Sequence, residues 1–130
     1  MVANLKEICI EILSLDKSIR FAGIASMMGK VVAQEFRKDV IPLLQNDEVE
    51  NSAIKSVLRM RTREDYEGKL GRAIYTFTLY EKVKRASIPL EHRDYALLMV
   101  SFDKQANHEE IILKKITPVM YREGLVKIPQ

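Results

Sequence analysis

The order of its periodic segments constrains this chain more than any single residue does. One opening helix is followed by two short strands, a helix, three strands and a closing helix. Five strands grouped two and three, each group followed by a helix, make an antiparallel sheet with helices packed on it. The expected class is α/β of the α+β type, a five-stranded antiparallel sheet in the order α-β-β-α-β-β-β-α. With 130 residues the chain is the size of one domain, 1–130, able to bury one core between two layers.

The segments are read from their periods. Val2 to Leu15 places Leu5, Ile8, Cys9, Ile12 and Leu13 on one helical stripe. Ile19 to Met27 is apolar on nearly both faces, as an interior strand is. The turn Met28-Gly29-Lys30 leads into the partner strand Val31–Phe36, and Pro42 limits how far pairing runs. Asn46-Asp47-Glu48 is a helix start, and the helix should reach about Arg61, burying Val49, Ala53, Ile54, Val57 and Leu58 with Met60 at the margin. Gly68 and Gly71 bracket a loop or a frayed turn. Ala73 to Tyr80 reads as a strand, Glu81 to Arg85 as a charged connection, and Ala86 to Leu90 as a short strand limited by Pro89. Tyr95 to Phe102 is the strongest strand, continuous and apolar. Asn107 then caps a helix from His108 to about Tyr121, which Pro118 should kink or end and Gly124 should terminate.

Composition narrows the function classes. The apolar share is 47% and the charged share 30%, which argues against disorder. No apolar run approaches the roughly 20 residues of a membrane-spanning helix. The N-terminal residues do not read as a signal peptide, and a cytoplasmic location is expected. The single Cys9 excludes an internal disulfide and a cysteine zinc cage, and its place among isoleucines reads as a buried, inert thiol. No cofactor and no metal are expected.

Catalytic candidates are sparse. His92 with Asp94 could form an acid–base pair, yet i, i+2 in a turn usually gives two solvated side chains. His108 reads as neutral and solvent-facing at a helix start, and Glu109 and Glu110 as acids complementing the dipole. Gly29-Lys30 lacks the spacing of a phosphate-cradling loop. The chain is read as a non-enzyme. Charge is more suggestive: the net charge is +3, but residues 55–93 carry a local excess of +5. Lys55, Arg59 and Arg63 follow at i, i+4, and Arg72, Lys82, Lys84 and Arg85 extend the field as candidate anion or nucleic-acid contacts. Tyr75, Phe77, Tyr80 and Tyr95 supply rings for base stacking, although aromatics in amphipathic strands are usually core. A pocket lined by Phe21, Tyr75, Phe77 and Met99 is the small-ligand alternative.

The segment order, with the hairpin Phe21-Ala-Gly-Ile-Ala-Ser-Met-Met-Gly-Lys-Val-Val-Ala, resembles the roadblock family, named from dynein light chains; the fold implied is roadblock- or profilin-like. The stretch from Ser18 to Leu44 also looks like that of small uncharacterised archaeal proteins. The resemblance implies a small regulator of GTPases, in which two copies pair through the second strand and the central helix. Here the second strand has no Pro, and the apolar run Val40 to Leu44 adjoins it. Val32, Ala33, Phe36, Val40, Ile41, Leu43 and Leu44 are therefore the candidate interface. The leading expectation is a homodimeric, non-enzymatic scaffold or regulator, with a small GTPase or another protein as partner. A nucleic-acid-binding module and a PAS- or GAF-like ligand sensor are the alternatives.

Overall fold

In the computed structural model, which describes residues 4–127, the apolar run at Tyr95 occupies the middle of the sheet. With elements numbered along the chain, β1 is Ile19–Ser26, β2 Val31–Phe36, β3 Thr76–Leu79, β4 Val83–Pro89 and β5 Tyr95–Asp103. The strand order is β2-β1-β5-β4-β3, and every neighbouring pair is antiparallel. The sheet thus brings the first hairpin and the later meander together along the two sides of β5.

The period of two sorts the sheet into faces. Ala22, Ile24, Ala86, Ile88, Leu98, Val100 and Phe102 meet Ile8, Cys9 and Ile12 of α1 (Leu5–Ser14) and the isoleucines of the closing helix, forming the larger core. On the second face, Ala25, Leu97 and Met99 lie under Ala53, Val57 and Met60 of α2 (Asn46–Glu64) in a smaller core. Cys9 is fully buried, and burial pushes its thiol up to about 12, so it is an inert packing residue.

Local chemistry sets the boundaries. The Asn4 side chain accepts from the Glu7 backbone N–H at 3.2 Å and starts α1; Val2, expected in this helix, lies outside the described residues. Gln45, one residue before the expected cap, precedes α2, where Glu48 accepts from the Gln45 N–H at 3.0 Å. The helix continues past Arg61 to Glu64, and a short α3 (Glu67–Leu70) ends at Gly71, with φ of 84°. Ile54 and Leu58, expected inside, are 46% and 57% exposed, whereas Met60 is buried. The inner stripe of α2 is narrower than its apolar content suggests, because the helix lies over only part of the sheet.

Strand ends differ from expectation for related reasons. Residues 73–75 stay outside β3, and β4 begins at Val83, so Lys84 and Arg85 are ladder residues opposite Phe102 and Ser101. Their charge made them read as a hairpin tip. In place, Lys84 reaches the Ala106 carbonyl at 2.7 Å and Arg85 reaches Ser52, so each cationic head leaves the sheet surface. Pro89 is the last residue of β4, where its missing N–H costs least.

The closing helix does not stop at Pro118. After α4 (His108–Glu110) it widens to a π-helical segment, Ile111–Ile116, and resumes as α5 (Thr117–Arg122). A proline ring clashes with the carbonyl four residues back, and the wider i to i−5 pattern just upstream relieves that conflict. Thr117 adds a side-chain bond to the Ile112 carbonyl at 2.9 Å. Gly124, with φ of 75°, then closes the helix: its N–H bonds the Tyr121 carbonyl and the Leu125 N–H bonds that of Met120.

Gly29 links the two layers of the second face. Its φ is 83°, and a Cβ added there would lie 2.9 Å from the Ile54 Cα. Gly29→Ala therefore loses both the left-handed turn and the close approach of α2. We expect a loss of about 1–3 kcal/mol, read as a lower denaturation midpoint at unchanged slope; a midpoint equal to that of the parent chain would refute this account.

Candidate functional site

α2 meets the first hairpin at its turn, where the Val31 N–H donates to Glu50 Oε1 at 3.1 Å and Gly29 lies against Ile54. Among the described residues β2 pairs only with β1, and its far side borders an open groove flanked by Asn4, Leu5 and Lys6 at the start of the first helix. Of the residues expected at an interface, Val32 is exposed at a register shift opposite Ile24 and Ala25. Ala33 instead turns inward and packs against the larger core, and Phe36 packs against Phe21 with the rings tilted at 52° and their centres 4.8 Å apart. The connection after β2 folds back over the second face. Val40, Leu43 and Leu44, with Pro42, line an apolar cavity of about 80 Å³ above Phe21, Phe36 and Met99, while Ile41 is 84% exposed. Ile54 and Leu58 add two exposed apolar side chains from α2. Sequence reasoning placed both in the core; only the helix's position over the sheet distinguishes them from Ala53 and Val57. Gln34, from the middle of β2, keeps its Oε1 buried without a donor among the described residues.

The basic candidates divide into separate places. Arg72 pairs with Glu91 at 3.5 Å, Lys84 is held by Ala106, and Lys82 and Lys55 are exposed. Arg59, Arg63 and Arg85 come together in a trench between α2 and the β3–β4 hairpin. Of the four aromatic residues expected to stack on bases, Phe77 and Tyr80 border this trench, but the set does not gather there. Tyr75 and Tyr95 pack against the larger core on the opposite face, and Phe77 lies opposite Ala86 and stacks on His108 at 3.8 Å. Of the four residues expected around a small-ligand pocket, Phe21, Phe77 and Met99 border this same trench, with the Phe77 ring itself turned to His108, whereas Tyr75 packs against the larger core and does not join them.

The titratable candidates serve local structure. His92 Nδ1 accepts from the Asp94 N–H at 3.0 Å, and its ring stacks on Tyr95. His108 is half-buried rather than solvent-facing. Burial first, then Lys84, holds its imidazole below the usual range, opposed by Glu109. Glu110 contacts the Asn107 cap and Lys114, while Glu109 lies 3.5 Å from the Tyr75 hydroxyl. Among the described residues no group of three His, Cys, Asp or Glu side chains is placed to hold a metal ion.

One polar constellation escaped the sequence reading. Arg37, just after β2, donates to Asp103 at 2.8 Å, to Asp39 at 2.6 Å and to the Lys17 carbonyl at 2.8 Å, and Arg20 joins Asp103 at 3.3 Å. The network ties the ends of β1, β2 and β5 together. Arg37, then Arg20, holds the Asp103 carboxyl below its usual range against the cost of burial. Residues 66 positions apart in sequence meet here only because β5 lies beside β1.

No protein-family model matches the sequence, and no curated protein does. Solved structures do. The gliding protein MglB from Thermus thermophilus superposes with a TM-score of 0.68 at 17% identity, covering 91% of this chain and 86% of its own. A Roadblock/LC7 domain from Streptomyces avermitilis gives 0.68 at 11% identity, covering 92% and 96%. The fold is roadblock-like. MglB from Myxococcus xanthus agrees, at 0.67 and 11% identity over 91% and 92%. At these identities the likeness concerns chain path, and nothing in it bears on an archaeal source. Among the described residues no helix is long and apolar enough to cross a membrane.

The Asp103 network predicts an acid-side signature. Because its folded-state pKa is depressed, its contribution is complete above the ordinary carboxylate range near about pH 4 and drains away as pH falls through the lower folded value. Asp103→Asn should cost about 1–2 kcal/mol at neutral pH, given its partial exposure. The gap to the parent chain should close below about pH 3. Denaturation midpoints across that range check it, and a pH-independent gap would contradict the assignment.

Proposed function

We propose that this chain is a non-enzymatic interaction module, a cytoplasmic homodimer that scaffolds or regulates a larger protein. The observation that carries the reading is the open β2 edge beside exposed Val32, Ile54 and Leu58. An unpaired strand edge offers a row of backbone donors and acceptors, and its flanking apolar side chains gain by leaving water. A second copy can meet both needs with one surface used twice. Of the interface candidates, Val32, Ile41, Leu43 and Leu44 are available for contact, whereas Ala33 and Phe36 contribute by shaping the strand from within.

One of the similar structures is described as MglB with a tetrameric arrangement, which states self-association for that protein. Carried to this chain, it favours assembly between copies. A small GTPase is the proposed further partner, in keeping with the roadblock resemblance; it would meet the assembled face rather than a catalytic pocket. His92, His108 and Glu110 are each engaged in a turn, a stack or a cap, which favours a binding role.

Sedimentation over a concentration series tests the dimer. The parent chain should be dimeric at micromolar concentration. Leu58→Glu, and separately Val32→Glu, should shift it to monomer while circular dichroism stays unchanged, because both side chains are exposed in the single chain. A parent chain that remains monomeric at high micromolar concentration would sink the proposal.

A further inference from the structure

The nine arginines of this chain have unequal company. Arg20, Arg37, Arg72, Arg93 and Arg122 each have a carboxylate within 4 Å. Arg61 donates to the Met27 carbonyl. The remaining three, Arg59, Arg63 and Arg85, form no ion pair among the described residues, and all three line one trench.

The trench follows from where α2 stops covering the sheet. Thr76 and Thr78 of β3 lie opposite Ser87 and Arg85 of β4, so these four side chains share the face that α2 leaves open. Arg59 and Arg63 border that opening from the helix, four residues apart. Ser56 Oγ accepts from Arg59 at 3.2 Å and Ser52 Oγ from Arg85 at 2.9 Å, so two of the guanidinium groups are oriented by neutral hydroxyls. Among the described residues no Asp or Glu lines the cavity. Its volume is about 100 Å³, several times the roughly 10–15 Å³ that one water requires.

Three cations converging on a concave site repel one another unless an anion enters. We infer that the trench binds a phosphate group, free or as the phosphomonoester of a small molecule. A tetrahedral dianion presents oxygens in several directions, which suits guanidinium groups arriving from two elements and hydroxyls from a third. A planar carboxylate would use fewer of these donors. A nucleic-acid strand needs a longer charged track with a row of stacking rings, and three of the four candidate rings lie on the other face of the sheet. The site stands apart from the β2 edge, so every residue that builds it comes from one copy of the chain.

Thermal unfolding of the full chain with inorganic phosphate, against chloride at matched ionic strength, tests the assignment. Phosphate should give a saturable rise in Tm of a few degrees, and Arg63→Gln and Arg85→Gln should each reduce the apparent affinity at least tenfold. Titration of glucose 6-phosphate separates the sources. Tighter binding than phosphate identifies a phosphomonoester ligand, weaker binding identifies the free ion, and both support the site. Absence of a saturable shift would overturn the inference, as would a shift of equal size in the two arginine variants, which reports general salt stabilisation. Binding of a short single-stranded oligonucleotide that is tighter than phosphate and unaffected by Arg85→Gln would overturn it in favour of a backbone-tracking surface. Arg61→Gln, whose side chain reaches Met27 instead, serves as the charge-matched control.

Discussion

The two-sided burial of β5 is the constraint on which the rest of the structure depends. Leu97 and Met99 look toward α2, while Leu98, Val100 and Phe102 look toward α1 and the closing helix. A one-residue slip would exchange these sets and leave both cores mismatched. The same strand pairs with β1 on one side and β4 on the other, so its register places the first hairpin against the meander. Arg37 can reach Asp103, and Arg85 can stand opposite Ser101, only because that register is held.

The two faces are not equally furnished. The first is covered by α1 and the closing helix and is filled with isoleucine, leucine and phenylalanine. The second receives one helix, and its core includes three alanines, Ala25, Ala53 and Ala96. Small residues let α2 approach closely, as the Gly29–Ile54 contact also requires, but they bury little area per residue. One helix cannot cover five strands. Its width leaves the β3–β4 surface open on one side and exposes Ile54 and Leu58 on the other.

That geometry explains what was legible in the sequence. β5 announced itself because a strand buried on both faces needs no polar alternation. The β1–β2 turn and the helix end at Gly124 were legible because a positive φ selects glycine. The inner face of α2 was not legible. Ala53, Ile54, Val57 and Leu58 are equally compatible with a helical stripe, and only the angle at which the helix rests on the sheet divides them. Lys84 and Arg85 misled for a complementary reason: charge looks like a turn unless the strand face beneath it is open. The basic candidates were found individually, but their sorting into paired, carbonyl-bound and convergent arginines required the register of β3 and β4.

A thin core beneath α2 has a further consequence for how the surfaces on its two sides relate. The helix is anchored mainly by Ala53, Val57 and Met60, with Ser56 at its buried margin, over a length of 19 residues. Elements with few buried apolar contacts open at lower free energy than the core of the same protein. Ordering α2 from either side therefore lowers the cost of ordering it from the other, without any change in its position. Apolar cover on Ile54 and Leu58 would stiffen the helix that carries Arg59 and Arg63. An anion drawn between those arginines and Arg85 would, in turn, tie the same helix to β4. Coupling of this kind is reciprocal by necessity, so a partner at the β2 edge and a ligand in the trench must favour each other to the same degree.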